Sequence, residues 1–265
     1  MRIPILLYHS VGDDTTGPLG PYTCSPAAFR DQMAWIAEHG YSTMTVQELV
    51  ETRVGARPMP DRPLLITFDD GLADFTRNAL PAIRANGHTA TMFVTTSATG
   101  TDGARRALGG RLALTRREVA DLPAAGVEVG GHSHRHAQLD LLRRSEAADQ
   151  VRSCKQILED VLQAHVSSFA YPHGYYSRST QRLVRDAGFT AACAVRERVS
   201  HEGDDQFALA RLMLTAGQSV RFLEDALGSD GVAPARRGPR TRSRVWRTVR
   251  RVTTRGRDLI DATDA

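Results

Sequence analysis

The sequence predicts an α/β fold in which repeated βα units surround a parallel sheet. Short apolar runs rich in β-favouring side chains alternate along the chain with longer segments of helical spacing. Four of the helical segments are each followed by a glycine, as is common at helix C-termini, namely Gly40, Gly87, Gly126 and Gly188. With 265 residues, of which 41% are hydrophobic, the chain is long enough to bury the core of such a domain.

Each predicted strand is a short apolar run, and each predicted helix repeats apolar residues three or four positions apart. Strands are predicted at 3–8, 64–68, 89–94, 127–131, 168–171 and 190–194. Helices are predicted at 26–39, 74–86, 115–125, 143–163 and 177–187. A stretch rich in Gly, Arg and Ala at 100–112 predicts a surface loop.

The positive charge is concentrated near the C-terminus. Residues 231–265 hold ten arginines and three aspartates, although the formal net charge of the whole chain is only +4. We therefore expect one domain at 1–228, followed at 229–265 by an Arg-rich linker and either an amphipathic helix or a disordered tail. Because the rest of the chain is acidic, nucleic acid is not an expected partner. The basic tail instead allows peripheral contact with a membrane.

The sequence has neither a recognisable signal peptide nor a predicted membrane-spanning helix. The apolar run at the start is brief, and no window reaches about 18 consecutive apolar residues. The predicted location is therefore cytoplasmic, with membrane association only through the tail. The three cysteines, Cys24, Cys154 and Cys193, are odd in number and far apart, which argues against a disulfide framework or a zinc–thiolate site.

Two adjacent carboxylates follow the predicted strand 64–68. Asp69 and Asp70 stand at its end and Gly71 comes next, which lets the chain turn away. Adjacent side chains on an extended backbone point to opposite sides, so one carboxylate can bind a metal while the other reaches a water molecule. Taken alone, the Asp-Asp-Gly sequence fits a solvated turn or a helix cap equally well.

Three histidines follow the predicted strand 127–131. If the segment is helical, His132 and His136 face the same way and His134 points elsewhere. If it is extended, all three lie on one face. The cluster favours metal binding without choosing its ligands. Two histidines and one carboxylate suit a catalytic divalent ion, with Zn²⁺ expected first and Co²⁺, Ni²⁺ or Fe²⁺ as competitors. The chemistry of such a site is hydrolysis of an amide or ester.

The order of three short motifs resembles that of the polysaccharide deacetylases, the NodB-homology family. These motifs are Thr67-Phe68-Asp69-Asp70-Gly71, His132-Ser133-x-x-His136 and Phe169-Ala170-Tyr171-Pro172-His173-Gly174. The resemblance extends over about residues 1–215. It implies a distorted (β/α) barrel of about seven strands with catalytic residues on the loops at strand ends. It also implies an enzyme that removes the N-acetyl group from an amino sugar, so that its partner is an N-acetylated carbohydrate.

The resemblance also assigns roles to individual residues. Asp69 resembles the catalytic base, and Asp70, His132 and His136 resemble the metal triad. The substrate-binding segment implied by the third motif consists of Tyr171, Pro172, His173 and Gly174. It resembles the wall of the acetyl pocket, where the backbone N–H of His173 can stabilise an oxyanion.

Two positions depart from the usual family pattern. No histidine stands near the C-terminus to protonate the leaving amine, but Leu7-Tyr8-His9 has the expected pattern at the other end, as in the circularly permuted branch that resembles poly-N-acetylglucosamine deacetylases. We therefore predict His9 as the general acid, against the alternative that it caps the first strand. Ala170 stands where many members carry an arginine that orients the base. Arg211 is the predicted substitute, against the alternative of a surface arginine.

Two other functions fit the same residues. One is a metal-dependent amidase or imidase for a small non-sugar amide, because the same machinery serves any acyl–nitrogen bond. The other is a carbohydrate-binding relative without activity, which the complete set of Asp and His residues argues against. Aromatic side chains that bind sugar would favour the deacetylase, and the candidates are Tyr22, Tyr175 and Tyr176.

Overall fold

The structure, a computed structural model, describes residues 1–100 and 106–228. The predicted linker and tail at 229–265 lie outside the described residues, as does part of the predicted loop at 100–112. Within the described ranges, no helix combines the length and the apolar character that spanning a membrane would require.

Seven parallel strands form the main sheet. In chain order they are β1 (Ile5–Tyr8), β2 (Pro63–Phe68), β3 (Ala90–Val94), β4 (Val127–Gly131), β5 (Ser168–Ala170), β6 (Ala191–Cys193) and β7 (Leu212–Met213). Their order across the sheet is β6-β5-β4-β3-β2-β1-β7, and a two-residue strand, Ser42–Thr43, adds to β2. The six predicted strands are thus confirmed, each to within two residues at either end. Strand β7 was not predicted.

The segment that leads into β7 joins the two edges of the sheet. Leu209 pairs with Cys193 of β6, and three residues later Leu212 pairs with Leu6 of β1. The sheet therefore curls into a distorted half-barrel in which the last strand lies beside the first. This arrangement confirms the fold class that the resemblance implied.

Seven α-helices surround the sheet in the described residues. They are α1 (Pro26–Glu38), α2 (Val46–Arg53), α3 (Leu80–Ala85), α4 (Arg116–Asp121), α5 (Arg144–Leu162), α6 (Arg178–Asp186) and α7 (Val220–Leu227). The segment predicted as one helix at 74–86 is a π-helix, Phe75–Ala79, followed by α3, and a 3₁₀ turn, Pro123–Ala125, follows α4. The four predicted cap glycines all have positive φ angles, between 66° and 89°. Helices α2 and α7 were not predicted.

Alternate side chains of the strands enter two separate hydrophobic clusters. On β2, Leu65 lies in the cluster inside the barrel, whereas Leu64 and Ile66 pack in the larger cluster beneath the helices. Helix α2 packs Val46 and Leu49 into the interior cluster. Both faces of β2 are therefore buried, as is typical of parallel strands. The polar site residues follow at the carboxyl end of the same strand.

Candidate metal centre and active site

The two adjacent aspartates lie in the interior at the end of β2. Asp69 is 3% exposed and Asp70 is 5% exposed, so the alternative of a solvated turn is wrong. Asp70 and Gly71 both have left-handed φ angles, of 76° and 75°, which end the strand at this point. A Cβ atom on Gly71 would lie 3.2 Å from the Cγ1 atom of Val94, so this turn favours glycine for its conformation and for the space it leaves.

The structure brings Asp70, His132 and His136 together at the carboxyl ends of β2 and β4. One ligand atom from each residue lies within 4.8 Å of the others. The Oδ1 atom of Asp70 is 3.2 Å from Nε2 of His136 and 3.6 Å from Nε2 of His132. Asp69 lies alongside, with its Oδ2 atom 3.8 Å from the same His132 nitrogen. This donor set matches the three residues that the family resemblance implied.

His132 is oriented by a backbone carbonyl. Its Nδ1 atom lies 2.8 Å from the carbonyl oxygen of Ala170, and donation of Nδ1–H to this acceptor leaves Nε2 as the free ring nitrogen. Burial lowers the pKa of His132 to about 4, despite the opposing effect of the nearby Asp69 carboxylate. The ring is therefore neutral near pH 7, as a metal ligand must be. Sequence reasoning missed this carbonyl because no side-chain pattern reports a backbone acceptor.

His134 does not join the other two histidines. Its Nδ1 atom lies 3.0 Å from the hydroxyl of Thr96, away from the carboxylates. The segment that carries the three histidines is neither helical nor extended, since Ser133 and His136 both have left-handed φ angles, of 62° and 56°. The interpretation in which an extended segment aligns all three histidines is wrong. The irregular loop directs only His132 and His136 to Asp70.

Arg211 forms a buried pair with Asp69. Its Nη1 and Nη2 atoms donate to Oδ1 and Oδ2 of the carboxylate at 2.7 Å and 2.8 Å. Nη1 also contacts the hydroxyl of Thr67, and Nε donates to the carbonyl of Ala194. The arginine side chain is 0% exposed, so the alternative of a surface arginine is wrong. A bidentate pair of this kind fixes both the position and the plane of the carboxylate.

The electrostatics of the site favour charged carboxylates. Burial raises the pKa of Asp69, but Arg211 and His132 lower it by more, so it lies below its usual value. Burial also raises the pKa of Asp70, and the imidazoles of His136, His9 and His132 together bring it well below its usual value. Conversely, burial lowers the pKa of His136, and Asp70 raises it to a net value above the ordinary one.

These residues fit a divalent metal ion. The Oδ1 atom of Asp70 is buried and has no hydrogen-bond partner of good geometry among the described residues, although two imidazole nitrogens lie 3.2 Å and 3.6 Å from it. A buried carboxylate oxygen without a donor is unfavourable unless a cation is bound there. Two histidine nitrogens and one carboxylate oxygen are the ligand types of catalytic zinc sites and of the other first-row metals.

His9 follows β1 beside the carboxylate pair. The backbone N–H of Asp69 donates to the carbonyl of Tyr8 at 3.0 Å, so His9 and Asp69 leave the sheet side by side. His9 is partly buried, its Nδ1 atom has no hydrogen-bond partner among the described residues, and its ring lies 5.3 Å from that of Tyr22. The proximity of His9 lowers the pKa of both Asp69 and Asp70. The position of His9 fits a proton donor at the site.

The segment at 171–174 reaches the site through a single side chain. The ring of His173 lies 4.6 Å from that of His136 in an edge-to-face arrangement, and its φ angle of 59° is left-handed. Pro172 and Gly174 are buried beside it. The Tyr171 side chain is not brought to the site, because it is fully buried and its hydroxyl donates to the carbonyl of Phe207 at 3.0 Å.

The three candidate sugar-binding tyrosines occupy different surroundings. Tyr22 is partly exposed next to His9. Tyr176 is partly exposed and stacks on the buried ring of Tyr171, with the Arg196 guanidinium over its ring. Tyr175 is partly exposed and directly follows Gly174. Tyr22 is in contact with a candidate catalytic residue, His9.

Comparisons with known proteins agree with this geometry. A sequence model of the family described as "Polysaccharide deacetylase" matches residues 56–192, just over half of the chain. YxkH of Bacillus subtilis (strain 168), named as a polysaccharide deacetylase, is 22% identical over 218 residues, which are 82% of this chain and 73% of YxkH. The poly-beta-1,6-N-acetyl-D-glucosamine N-deacetylase of Escherichia coli (strain K12) is 34% identical over 59 residues, only 22% of this chain and 9% of that protein.

A solved structure supports the fold. The Streptococcus pyogenes deacetylase PplD, in complex with acetate, superposes with a TM-score of 0.73 at 20% identity, covering 83% of this chain and 96% of PplD. At this level of identity the likeness concerns the fold alone. Together with the family match over 56–192, the curled parallel barrel and the ordered motifs lead to one assignment: the chain belongs to the polysaccharide deacetylase family.

Proposed function

We propose that the chain is a metal-dependent hydrolase that removes the N-acetyl group from an amino sugar in a glycan or glycoconjugate. Family membership gives the broader activity, deacetylation of a carbohydrate. The finer proposal is carried by one observation, the convergence of Asp70, His132 and His136 within 4.8 Å beside the buried Asp69. No simple structural role explains two carboxylates and two imidazoles that meet at the ends of strands, with only His136 partly exposed among them.

Asp70, His132 and His136 would hold the metal ion, with Zn²⁺ first and Co²⁺, Ni²⁺ or Fe²⁺ as competitors. When bound, a divalent ion polarises a carbonyl group and lowers the pKa of water. The orientation of His132 by the carbonyl of Ala170 presents Nε2 for this purpose without further rearrangement.

Asp69 is the proposed catalytic base. Its pKa lies below the usual value, so it is ionised at neutral pH and can accept the proton of the attacking water. Arg211 donates to both carboxylate oxygens and thereby holds the base in one orientation. We therefore assign Arg211 the orienting role that an arginine at position 170 has in many family members.

His9 is the proposed general acid, and the loop at 171–174 the proposed acetyl pocket. Attack of water on the acetyl carbon forms a C–O bond, and the water proton passes to Asp69. The C–N bond then breaks as the nitrogen takes a proton from His9, which leaves acetate and a free amine. The backbone N–H of His173 is the candidate donor to the oxygen that becomes negative.

Two observations support an amino sugar as the substrate. The Escherichia coli relative is named for deacetylation of poly-beta-1,6-N-acetyl-D-glucosamine, and it shares 34% identity over 59 residues. In addition, the ring of Tyr22 lies beside His9, where an aromatic face can stack on a sugar ring next to the acetamido group.

The test is acetate release from N-acetylglucosamine oligomers and small N-acetyl glycosides, set against small non-sugar N-acetyl amides and cyclic imides. We expect release from the sugars, and loss of both metal content and activity in His132→Gln and His136→Gln. His134→Gln is the matched control, since its ring faces Thr96, and it should keep both. Activity on the non-sugar amides or imides alone would replace the proposal with an amidase or imidase. Metal and sugar binding without turnover would indicate a carbohydrate-binding relative.

A further inference from the structure

A π-helical turn and the residue before it are hydrogen-bonded to the segment that follows His9. The turn, Phe75–Ala79, begins shortly after the carboxylate pair and leads into α3. The hydroxyl of Ser10 donates to Oδ2 of Asp74 at 2.5 Å, and Nδ2 of Asn78 donates to the carbonyl of Val11 at 2.6 Å. π-helical turns are rare and are often found at functional sites.

These two hydrogen bonds connect the two halves of the candidate active site. Asp74 lies four residues after Asp70, and Ser10 directly follows His9. Ser10 is 1% exposed and forms a two-residue strand, Ser10–Val11, that pairs with Thr23–Cys24 just after Tyr22. Because the bonds act on the backbone and side chain next to His9, they limit the positions that the imidazole can take.

Stability does not explain a carboxylate at position 74. Its Oδ1 atom is buried and has no hydrogen-bond partner among the described residues, an arrangement that costs folding free energy. The groups that face Asp74 are Ser10 and the backbone of Val11, with Arg77 and Arg111 acting at longer range. A charged acceptor does, however, bind the Ser10 hydroxyl more strongly than a neutral one, which favours a role in holding this segment.

We propose that Asp74 is a positioning residue which, through Ser10, holds the His9 imidazole where it can protonate the leaving nitrogen. This inference rests on the proposed function, in which His9 is the general acid. It assigns a role to a residue that does not itself touch the substrate. The expected effect of losing the contact is a defect in protonation of the leaving group and in no other step.

The experiment compares two substrates that differ in their need for an acid. Release of an amine from an N-acetylglucosamine oligomer requires a proton, whereas 4-nitrophenyl acetate releases a stable phenolate without one. In Ser10→Ala and Asp74→Ala we expect kcat on the oligomer to fall about 10–100-fold, since a misplaced catalytic group has losses of this order. On the aryl ester kcat should stay within about twofold, because no acid is required. Asp74→Asn, which keeps a neutral acceptor for Ser10, should lie between the wild type and Asp74→Ala on the oligomer.

Three controls make the outcome decisive. Gln47→Ala removes an exposed hydrogen bond to Glu51 on α2 and should leave both activities unchanged. Metal content and the urea midpoint of each variant show whether it folds. If Asp74→Ala does not fold, Ser10→Ala is the variant that tests the inference. Equal losses on both substrates in Ser10→Ala would overturn the inference, because they indicate a purely structural contact.

His9→Ala separates the inference from the function on which it rests. If His9→Ala loses activity on the oligomer alone while the Ser10 and Asp74 variants do not, only the positioning role is overturned. If His9→Ala shows no difference between the two substrates, the assignment of His9 as the acid is overturned and the positioning role with it. Losses confined to the oligomer in the His9, Ser10 and Asp74 variants support both the role of His9 as the acid and the positioning role of Asp74.

Discussion

Arg211 determines the orientation of the proposed base from a distant part of the chain. It stands 142 residues after Asp69, yet its guanidinium binds both carboxylate oxygens and is completely buried. Ala170, where many family members have an arginine, is itself buried in the interior cluster. The same carboxylate is thus held by a guanidinium group from the residue that precedes β7 rather than from β5. Orientation of the Asp69 carboxylate requires a buried bidentate donor, which can come from different positions in the sequence.

Removal of this arginine should affect stability and turnover together. In Arg211→Ala we expect a loss of about 3–5 kcal/mol of unfolding free energy, because the Asp69 charge stays buried without its partner. Arg211→Lys should restore part of the stability but less of the activity, since lysine cannot bind both oxygens in one plane. Urea unfolding and kcat for acetate release measure the two effects. Arg178→Ala, at an exposed arginine on α6, is the control. An unchanged urea midpoint in Arg211→Ala would contradict the buried pair.

Backbone strain is concentrated at the site. Six non-glycine residues in the described part of the chain have left-handed φ angles, and four of them belong to the site loops, namely Asp70, Ser133, His136 and His173. Such conformations cost free energy and persist only where the surrounding structure enforces them. At each of these positions the turn changes the direction of a ligand or pocket segment. The strain is therefore part of how the loops direct their side chains.

At the scale of a single element, the acetyl-pocket loop depends on Gly174. Its φ angle is 70°, and a Cβ atom there would lie 2.4 Å from Cβ of Val195. Gly126 also has a left-handed φ angle, of 80°, but a Cβ there meets no atom within 4 Å. The two glycines share the conformational requirement and differ in the space around them, so their alanine variants separate the two effects.

Gly126→Ala should cost only the conformational term, about 1–2 kcal/mol. Gly174→Ala should cost more and should also raise KM for the acetylated substrate, because the loop at 171–174 must move away from Val195. Urea unfolding and steady-state acetate release measure both effects. Equal losses of stability with an unchanged KM would show that the packing against Val195 does not position the pocket.

Helix α2 shows how a short element was overlooked. It spans eight residues, Val46–Arg53, too few for a clear helical repeat of apolar residues. Thr45 and Glu48 form a capping box at its start, and the Thr-x-x-Glu spacing is visible in the sequence. Strand β7 has no such signal, because its two residues are defined only by pairing with β1.

At the scale of the whole molecule, the stability of the metal-free protein should depend on pH through the buried histidine. The pKa of His132 is lowered to about 4 in the fold, against an ordinary value near 6.5. As the pH falls below about 6.5, His132 binds a proton in the unfolded chain but stays unprotonated in the folded chain. The contribution of His132 to stability is therefore full above that pH and is lost as the pH falls towards about 4. His136, whose pKa is raised, acts in the opposite sense.

The urea midpoint of the metal-free protein, measured from pH 7 to pH 4, checks this dependence. His132→Gln should remove the larger part of the decline that the two rings cause. His134→Gln should remove a smaller part, because the pKa of His134 is also lowered but its ring is less buried. The depressed pKa values of Asp69 and Asp70 add a further loss at lower pH, below about 4. A decline in His132→Gln as steep as in the wild type would contradict the assignment.

The domain predicted at 1–228 has its own structural test. Helix α7 packs on the fold near that boundary, since Leu223 and Leu227 are buried and the hydroxyl of Tyr41 donates to the carbonyl of Leu227 at 3.1 Å. A chain that ends at residue 228 should therefore unfold at the same temperature as the full chain. A chain that ends at residue 219, without α7, should unfold at a lower temperature. A lower transition already at 228 would extend the domain into the segment that follows.

The sequence by itself determined the elements and the chemistry that arise locally. Apolar periodicity predicts six strands and five helical segments. The positions of Asp69, Asp70 and the histidines at strand ends predict a metal site. These features follow from short-range order, because side-chain alternation, helix caps and the carboxyl ends of parallel strands are properties of a few consecutive residues.

Only the tertiary structure decided how distant segments meet. The pairing of β7 with β1, the contact of Arg211 with Asp69, and the exclusion of His134 from the metal site all depend on groups far apart in sequence or on irregular loop geometry. A local pattern cannot carry that information. The free energy of burying an ion pair or of closing a barrel is released only when the separate parts are brought together.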